Sequence, residues 1–177
     1  MRAAVLGAGA VGARVARQLL SGGLVDQVVL RDTDADRLAW VSRSLGERLI
    51  IEHAPFPASL EADVVVVATP GGTQLPAVVD ALAHQRPVIT TGDGLAETVA
   101  MLKLAPQAQE AGVSVVLGAG FAPGLSCVLA AHGAMWLDHV EEIHVAKAGT
   151  GGPACALVHH RALSRIAYDW RQGQGAR

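Results

Sequence analysis

With 177 residues, the chain has room for one domain, or for one domain and part of a second. Hydrophobic residues make up 51% and charged residues 17%, which excludes a disordered chain, and a net charge of −2 without a basic run argues against a nucleic-acid-binding surface. The spacing of Cys127 and Cys155 fits neither a metal site nor a disulfide framework, and no apolar stretch reaches the roughly 18 residues of a membrane span, so we expect a cytoplasmic protein with no nucleic-acid or membrane partner.

Up to residue 118, short apolar runs alternate with longer helical patterns. Strands are predicted at residues 3–6, 27–31, 49–53, 63–68, 87–91 and 114–117. Helices are predicted at residues 10–20, 33–45, 76–84 and 95–111. Thr33 and Asp36 predict a capping box on the second helix, and Pro106 a kink or break in the fourth. Because only 3% of residues are aromatic, aliphatic side chains must build the core, which favours a parallel sheet. Strands with helical crossovers predict an α/β fold with a doubly wound parallel sheet, the Rossmann architecture.

The pattern changes after Gly118, where a short strand and helix extension is expected. We predict a loop at residues 118–124, a helix at 125–135 and a strand at 141–146. A turn at 149–153 and a second helix at 155–168 follow. The predicted strand alternates polar and apolar residues, which indicates a half-exposed strand of a different sheet. Residues 171–177 are expected to fray.

These elements predict two units. Residues 1–122 would form a dinucleotide-binding domain. Residues 123–177 would supply a linking helix and the start of a truncated substrate or dimerisation domain. We expect any homodimer to form through this C-terminal segment.

The segment Gly7-Ala8-Gly9-Ala10-Val11-Gly12 follows the first strand directly and opens the first helix. In that position the first glycine makes the tight turn, and the second allows the backbone to approach a pyrophosphate. The third allows the helix to pack closely on the strand. Free N–H groups at the start of the helix favour the phosphates. The alternative is that these glycines only close a tight turn.

An acidic residue, Asp32, stands at the end of the second strand, 20 residues after Gly12 (32 − 12 = 20). A carboxylate there accepts hydrogen bonds from the ribose hydroxyls of the cofactor. The same charge would repel a 2′-phosphate, which favours NAD(H). Arg31 and Arg37 lie close enough in sequence to leave NADP(H) open. As an alternative, Asp32 serves only as a helix N-cap.

Three loops follow strands on the side where open α/β sheets bind ligands. The loop at 68–72 is expected near the adenosine or ribose, the loop at 90–94 near the nicotinamide ribose, and the loop at 118–124 over the nicotinamide. Each contains Gly or Pro, so an ordinary short connection is the alternative.

A second glycine-rich turn at 149–155 opens the last helix, and its amides offer a place for a substrate carboxylate. His159, His160 and Arg161 follow on that helix. Adjacent residues point about 100° apart on a helix, so at most one or two of them share a face. His159, His160 and Lys147 are candidates for an acid–base role, with an exposed surface position as the alternative for each.

The chain resembles the saccharopine dehydrogenase-like family from its first strand to about Trp170. The resemblance rests on the N-terminal glycine turn, on Thr90-Thr91 before a helix, on the segment at 120–125, and on the glycine-rich turn after residue 141. It implies an NAD(P)-dependent oxidoreductase that transfers hydride at a carbon bearing nitrogen in an amino-acid-derived substrate. It also implies that the loop from Gly120 lies near the nicotinamide.

The chain departs from that family in two respects. Ala122 stands where many members carry an acid, and the chain ends just after the second domain would begin. A truncated chain, a fragment and a reduced natural protein are all compatible with this length. A non-catalytic NAD-sensing module and a homoserine or aspartate dehydrogenase-like enzyme remain alternatives.

Motif, loops and resemblance together predict an NAD site, with NADP left open, and no metal. The expected cofactor-binding residues are Gly7, Gly9, Ala10, Val11, Gly12, Asp32, Thr33, Ala68, Thr69, Pro70, Thr91, Gly92, Gly120 and Phe121.

Overall fold

The computed structural model describes residues 1–55, 61–146, 148–149, 151–163, 169–171 and 174–176. The strands are β1 (Arg2–Leu6), β2 (Gln27–Asp32), β3 (Leu49–His53), β4 (Val64–Val67), β5 (Val88–Thr90), β6 (Val115–Val116), β7 (Asp169–Arg171) and β8 (Gln174–Ala176). The helices are α1 (Ala10–Ser21), α2 (Ala35–Ser42), α3 (Gln74–Ala83), α4 (Leu95–Leu102), α5 (Ala105–Ala111), α6 (Leu125–Ala134) and α7 (Pro153–Ala162).

The first six strands form one parallel sheet in the order β3-β2-β1-β4-β5-β6. At its centre, Ala4 of β1 lies opposite Val29 of β2 on one side and Val65 of β4 on the other. The central strands are apolar and buried because helices cover both faces, each with its own hydrophobic cluster. The predicted doubly wound Rossmann sheet is therefore confirmed.

The sheet changes winding direction at β1. From β1 the chain runs outward to β2 and β3, then returns to add β4, β5 and β6 on the other side. Ligands bind beyond the carboxyl ends of strands at such a switch point. This topology places the loops after β1, β2, β4, β5 and β6 along one edge of the sheet.

The predicted break at Pro106 is also confirmed. Residues 95–111 form two helices, α4 and α5, and Pro106 lies in the first turn of α5. Proline is tolerated there because the first N–H groups of a helix have no intrahelical acceptor.

The predicted capping box on α2 is wrong. The helix begins one residue later than that pattern requires, because the side chain of Asp34 accepts a hydrogen bond from the N–H of Arg37 at 2.9 Å. The carbonyl oxygen of Thr33 instead lies 3.0 Å from the ring of His53 on β3. The helix also ends at Ser42, earlier than predicted.

The C-terminal prediction needs two corrections. Residues 141–146 form neither strand nor helix, and they are exposed. An alternating pattern is not enough for a strand, which also needs a neighbouring backbone to bond. β7 and β8 pair as a short antiparallel hairpin where fraying was expected. Residues 164–168, in the predicted last helix, lie outside the described residues.

Within the described ranges, no helix is both long enough and apolar enough to cross a membrane.

Candidate functional site

The turn after β1 requires glycine at two places for different reasons. Gly7 has φ +99°, a left-handed conformation that L residues rarely adopt, and a Cβ there would stand 2.7 Å from the carbonyl oxygen of Ala68. A Cβ on Gly12 would stand 2.9 Å from the carbonyl carbon of Gly7, and closer still to its oxygen. The turn, β1 and α1 therefore pack against one another with no space for a side chain.

Gly9 differs from its two neighbours in the motif. It has ordinary extended angles (φ −70°, ψ −170°), and a Cβ built on it would meet no atom of the described residues within 4 Å. Nothing in the described part of the chain requires glycine there. The space beside Gly9 is what a closely approaching ligand needs.

The start of α1 offers backbone donors beside that space. Gly9 is the N-cap, it makes no side-chain capping bond, and the first intrahelical acceptor bond joins the N–H of Ala13 to the oxygen of Gly9 at 3.0 Å. The N–H groups of Ala10 and Val11 precede it, and both residues are exposed. Such a helix end attracts anions, phosphates above all.

Asp32 holds the turn to the end of β2. It is 4% exposed, and its carboxylate accepts hydrogen bonds from the N–H of Ala8 at 2.6 Å and the N–H of Asp34 at 3.0 Å. The Nη1 atom of Arg37 lies 3.2 Å from the same carboxylate. Asp32 is thus not the N-cap of α2, which is Asp34.

These contacts bear on the choice between NAD and NADP. Arg37 is half-exposed and offsets the charge of Asp32, which weakens the expected repulsion of a 2′-phosphate. Arg31 is instead paired with Glu52 on β3, at 2.5 Å. Of the two arginines expected near the ribose, Arg37 is the one beside the predicted acid. Sequence spacing did not distinguish them.

The loop after β4 carries a buried hydroxyl, that of Thr69, which has no hydrogen-bond partner among the described residues and is 7% exposed. A buried, unpaired polar atom is costly unless another molecule satisfies it. Its neighbour Ala68 packs against Gly7, so this loop lies beside the glycine turn. Pro70 accepts hydrogen bonds from the N–H and the hydroxyl of Thr73 and is exposed.

Gln74 connects the loops after β4 and β5 and was missed by sequence reasoning. It is 1% exposed, its amide donates to the oxygen of Thr69 at 2.8 Å, and its Oε1 accepts from the N–H of Gly92 at 3.2 Å. A Cβ on Gly92 would collide with this amide. A polar residue in the first turn of a helix carries no sequence signal for such a contact.

Glu97 on α4 was also missed. Its carboxylate accepts hydrogen bonds from the N–H groups of Gly72, Gln74 and Leu75, at 2.7 to 2.9 Å. The start of α3 is thus occupied by a side chain of the protein itself. Helices α1 and α3 begin after β1 and β4. Of these two, α1 is the helix whose first N–H groups are not bonded by such a carboxylate of the described residues and can receive a phosphate.

The loop after β6 leads into α6 and is anchored to β5. The N–H of Ala119 donates to the oxygen of Thr90 at 2.7 Å, and a Cβ on Gly120 would stand 3.2 Å from the oxygen of Thr91. The oxygens of Gly120 and Phe121 accept from the first N–H groups of α6. Phe121 is partly exposed.

Residues 3–142 match the family described as ketopantoate reductase PanE/ApbA. The chain belongs to that family. The saccharopine dehydrogenase-like family is therefore not confirmed as the family of this chain, and one of the features behind that resemblance, the glycine turn, is common to many dinucleotide-binding folds.

Three solved structures share the fold of this ketopantoate reductase family member. Saccharopine dehydrogenase (L-Glu forming) from Saccharomyces cerevisiae has a TM-score of 0.60 and 18% identity, over 76% of this chain and 31% of that chain. GenD2 from gentamicin A biosynthesis, in complex with NAD, has a TM-score of 0.56 and 25% identity, over 76% of this chain and 38% of that chain. A mutant of KijD10, a 3-ketoreductase from Actinomadura kijaniata, was solved in complex with TDP-benzene and NADP. It has a TM-score of 0.52 and 21% identity, over 64% of this chain and 36% of that chain.

The chain spans about a third of the length of these structures (31 to 38%). Two of them contain a nicotinamide dinucleotide, and the family of this chain is one of reductases. These matches support the expectation of an NAD-type cofactor.

The second glycine-rich turn of this family member lies near the start of α1. A Cβ on Gly152 would stand 3.2 Å from the Cβ of Ala10, so the start of α7 lies beside the start of α1. The turn is thus near the predicted phosphate position. Lys147 and Thr150 lie outside the described residues.

The predicted acid–base candidates on α7 are exposed. His159 has its Nε2 4.0 Å from the sulfur of Cys155, and His160 and Arg161 are exposed further along the helix. Within the described part of the chain, no group of three or more His, Cys, Asp or Glu residues is placed to hold a metal ion.

Proposed function

We propose that this ketopantoate reductase family member is an NAD(H)-preferring oxidoreductase, or the cofactor-binding domain of one, that transfers hydride at a carbon bearing nitrogen in an amino-acid-derived substrate. The observation that carries the proposal is the glycine turn. Gly7 and Gly12 are fixed by protein contacts, whereas Gly9 has open space beside it at the start of α1. A turn built only to connect a strand to a helix has no need of that open glycine.

The residues present fit such a cofactor. Gly9 and the amides of Ala10 and Val11 would hold the diphosphate, and Asp32 would lie beside the adenosine ribose. The unpaired hydroxyl of Thr69 would find a partner in the bound cofactor. When bound, the cofactor supplies the hydride, and the protein supplies position and electrostatics.

The carbon–nitrogen chemistry is supported by the likeness of residues 120–125 to the saccharopine dehydrogenase-like family. A second candidate is reduction of a ketone carbonyl, which the family's name favours. A homoserine or aspartate dehydrogenase-like reaction and a non-catalytic NAD sensor are further alternatives. Assays with each substrate class separate them.

Arg37 is expected to influence the choice between NADH and NADPH. We expect the protein to bind NADH more tightly than NADPH, and Arg37→Gln to widen the difference, because it removes the cation that offsets Asp32. The NADPH affinity should fall about tenfold or more, the loss expected for one hydrogen bond to a charged group. Isothermal titration calorimetry with NADH and with NADPH measures the two affinities. Arg43→Gln, an exposed arginine just after α2, is the matched control.

An equal loss of both cofactors in Arg37→Gln would show that this arginine does not set the preference. A protein that binds neither cofactor would overturn the proposed function. If NADH binds, hydride transfer is measured by the absorbance of NADH with a panel of amino acids and 2-oxo acids. Binding without turnover of any of them would favour the sensor.

The division at residue 123 and a homodimer formed through the C-terminal segment stay proposals. They are supported by α6, which has no buried residue and exposes Val128 and Leu129, and by the exposed Trp136 and Leu137 beyond it. Sedimentation velocity at increasing protein concentration tests for the dimer.

A further inference from the structure

Gln74, the first residue of α3, carries a buried amide that its own helix does not use. It is 1% exposed, and a fully buried glutamine is uncommon. Side chains at the start of a helix commonly bond its free N–H groups. Here the carboxylate of Glu97 does so instead, since it accepts from the N–H groups of Gln74 at 2.7 Å and of Leu75 at 2.9 Å. The amide of Gln74 is therefore available for contacts outside α3.

That amide joins two loops at the carboxyl edge of the sheet. Its Nε2 donates to the carbonyl oxygen of Thr69, after β4, and its Oε1 accepts from the N–H of Gly92, after β5. Glycine is required for this contact, because a Cβ on Gly92 would stand 2.6 to 2.8 Å from three atoms of the amide. One buried side chain thus fixes the backbones of the two loops relative to each other.

The hydroxyl of Thr69 differs from those of the two threonines at the end of β5. The hydroxyl of Thr91 donates to a backbone oxygen of β4 at 3.3 Å, and that of Thr90 accepts from a backbone N–H of the loop after β6 at 3.3 Å. The hydroxyl of Thr69 is buried without a partner among the described residues. Such a group is costly, and a bound molecule that pairs with it would remove that cost.

The Gln74 bridge lies on the half of the sheet away from Asp32. The strand order puts β4 and β5 on one side of β1, and β2 on the other. Thr69 is next to the glycine turn, since a Cβ on Gly7 would stand 3.2 Å from its backbone nitrogen. A dinucleotide with its adenosine over β2 and its diphosphate at this turn would continue across β4 and β5. The loops that Gln74 joins are thus those that its nicotinamide half would meet.

We infer that Gln74 is a positioning residue for the nicotinamide half of the proposed cofactor. It holds the backbones of Thr69 and Gly92, and with them the Thr69 hydroxyl, in the arrangement that receives this half. Gln74 acts through these two residues rather than by touching the ligand, because its amide is buried and bonds a loop through each polar atom. The inference rests on the proposed function. It adds that binding of the adenosine half does not depend on Gln74.

Gln74→Met tests this difference between the two halves, with NADH and AMP as the probes. Methionine is unbranched, fills irregular space and has about the length of glutamine, but it offers no donor to Thr69 and no acceptor to Gly92. NADH affinity should fall about tenfold or more, the loss expected for one hydrogen bond. AMP, which carries only the adenosine half, should keep its affinity. Isothermal titration calorimetry measures both, with circular dichroism showing that the variant is folded.

The matched control is Gln107→Met, the same change at an exposed glutamine of α5. It should alter neither the NADH affinity nor the AMP affinity. A general effect of replacing glutamine by methionine on the surface of a helix would show in this variant as well.

Thr69→Val tests the bridge without changing Gln74. It removes the hydroxyl and keeps a branched side chain of similar size. NADH affinity should again fall about tenfold. The urea midpoint of the cofactor-free protein should hold or rise, because an unpaired buried hydroxyl costs stability. A hydroxyl that served only the fold would give a lower midpoint. Thr69→Ser, which keeps the hydroxyl, should retain most of the NADH affinity.

Combining Gln74→Met with Thr69→Val should cost less NADH affinity than the product of the two single losses, because one residue acts in part through the other. Losses that multiply in full would overturn the inference. So would a Gln74→Met protein that binds NADH as the wild type does, or one that loses NADH and AMP by the same factor. Should Gln74→Met not fold, unchanged NADH affinity in Thr69→Val overturns it. A wild-type protein that does not bind NADH would defeat the proposed function, and the inference with it.

Discussion

Replacing Gly9 by alanine is expected to remove most of the cofactor affinity and leave the fold in place. A Cβ at this position meets no atom of the described residues within 4 Å, and the backbone angles of Gly9 suit any residue. The methyl group would instead occupy the space through which the proposed diphosphate would approach the start of α1. A methyl group forced into a close contact costs about 1–3 kcal/mol, which corresponds to roughly a tenfold to hundredfold loss of NADH affinity.

Two measurements separate the effects of Gly9→Ala. Fluorescence titration with NADH gives the affinity, and urea unfolding without cofactor gives the stability, which should fall by no more than about 1 kcal/mol because alanine is a poorer N-cap than glycine. Gly133→Ala on α6 is the matched control, since a Cβ there also meets no described atom within 4 Å. Unchanged NADH affinity in Gly9→Ala would place the diphosphate elsewhere.

The sheet could be predicted from the sequence because its signals are local. β1 and β4 lie in short apolar runs, residues 3–6 and 64–68, which are bounded by polar residues or glycine, and Pro106 marks the boundary between two helices. Helices that cover both faces of a parallel sheet bury the central strands, so a run such as Val64–Val67 has one structural interpretation. The glycine turn was predictable for the same reason, since strand, turn and helix are consecutive.

The contacts that shape the site could not be predicted because they join distant parts of the chain. Gln74 joins two loops that follow different strands, and Glu97 reaches the start of α3 from α4. Neither residue type nor spacing reveals such pairs without the sheet order. The strand predicted at residues 141–146 was wrong for a related reason, since the pattern of one strand does not encode its pairing with another strand.

Asp32 shows that a motif predicts a residue's position more reliably than its partners. The spacing from Gly12 placed it correctly at the end of β2, beside the glycine turn. Its carboxylate nevertheless bonds the backbone of Ala8 and Asp34 and pairs with Arg37. A carboxylate has about four lone-pair sites, so a ribose hydroxyl would compete with these partners. The proposed preference for NAD(H) would therefore depend on Arg37 as well as on Asp32.

Gly12→Ala is expected to act on the fold itself, in contrast to Gly9→Ala. A Cβ on Gly12 would overlap the backbone carbonyl group of Gly7, and because a Cβ is fixed directly on its Cα, neither group can rotate away. α1 would have to move off β1, which disturbs the packing of buried residues such as Ala13 and Ala16. Overpacking against rigid backbone should lower the free energy of unfolding by about 3 kcal/mol or more, a large part of the roughly 5–15 kcal/mol typical of a domain.

Urea unfolding followed by circular dichroism, without cofactor, measures the effect of Gly12→Ala. The midpoint should fall with an unchanged slope, because the surface exposed on unfolding stays the same. Gly9→Ala is the control from the same turn, with the same added methyl group and no described atom in its way. A midpoint equal in the two variants would contradict the close packing of α1 on the turn, and with it the separation of structural glycines from the one proposed to face the cofactor.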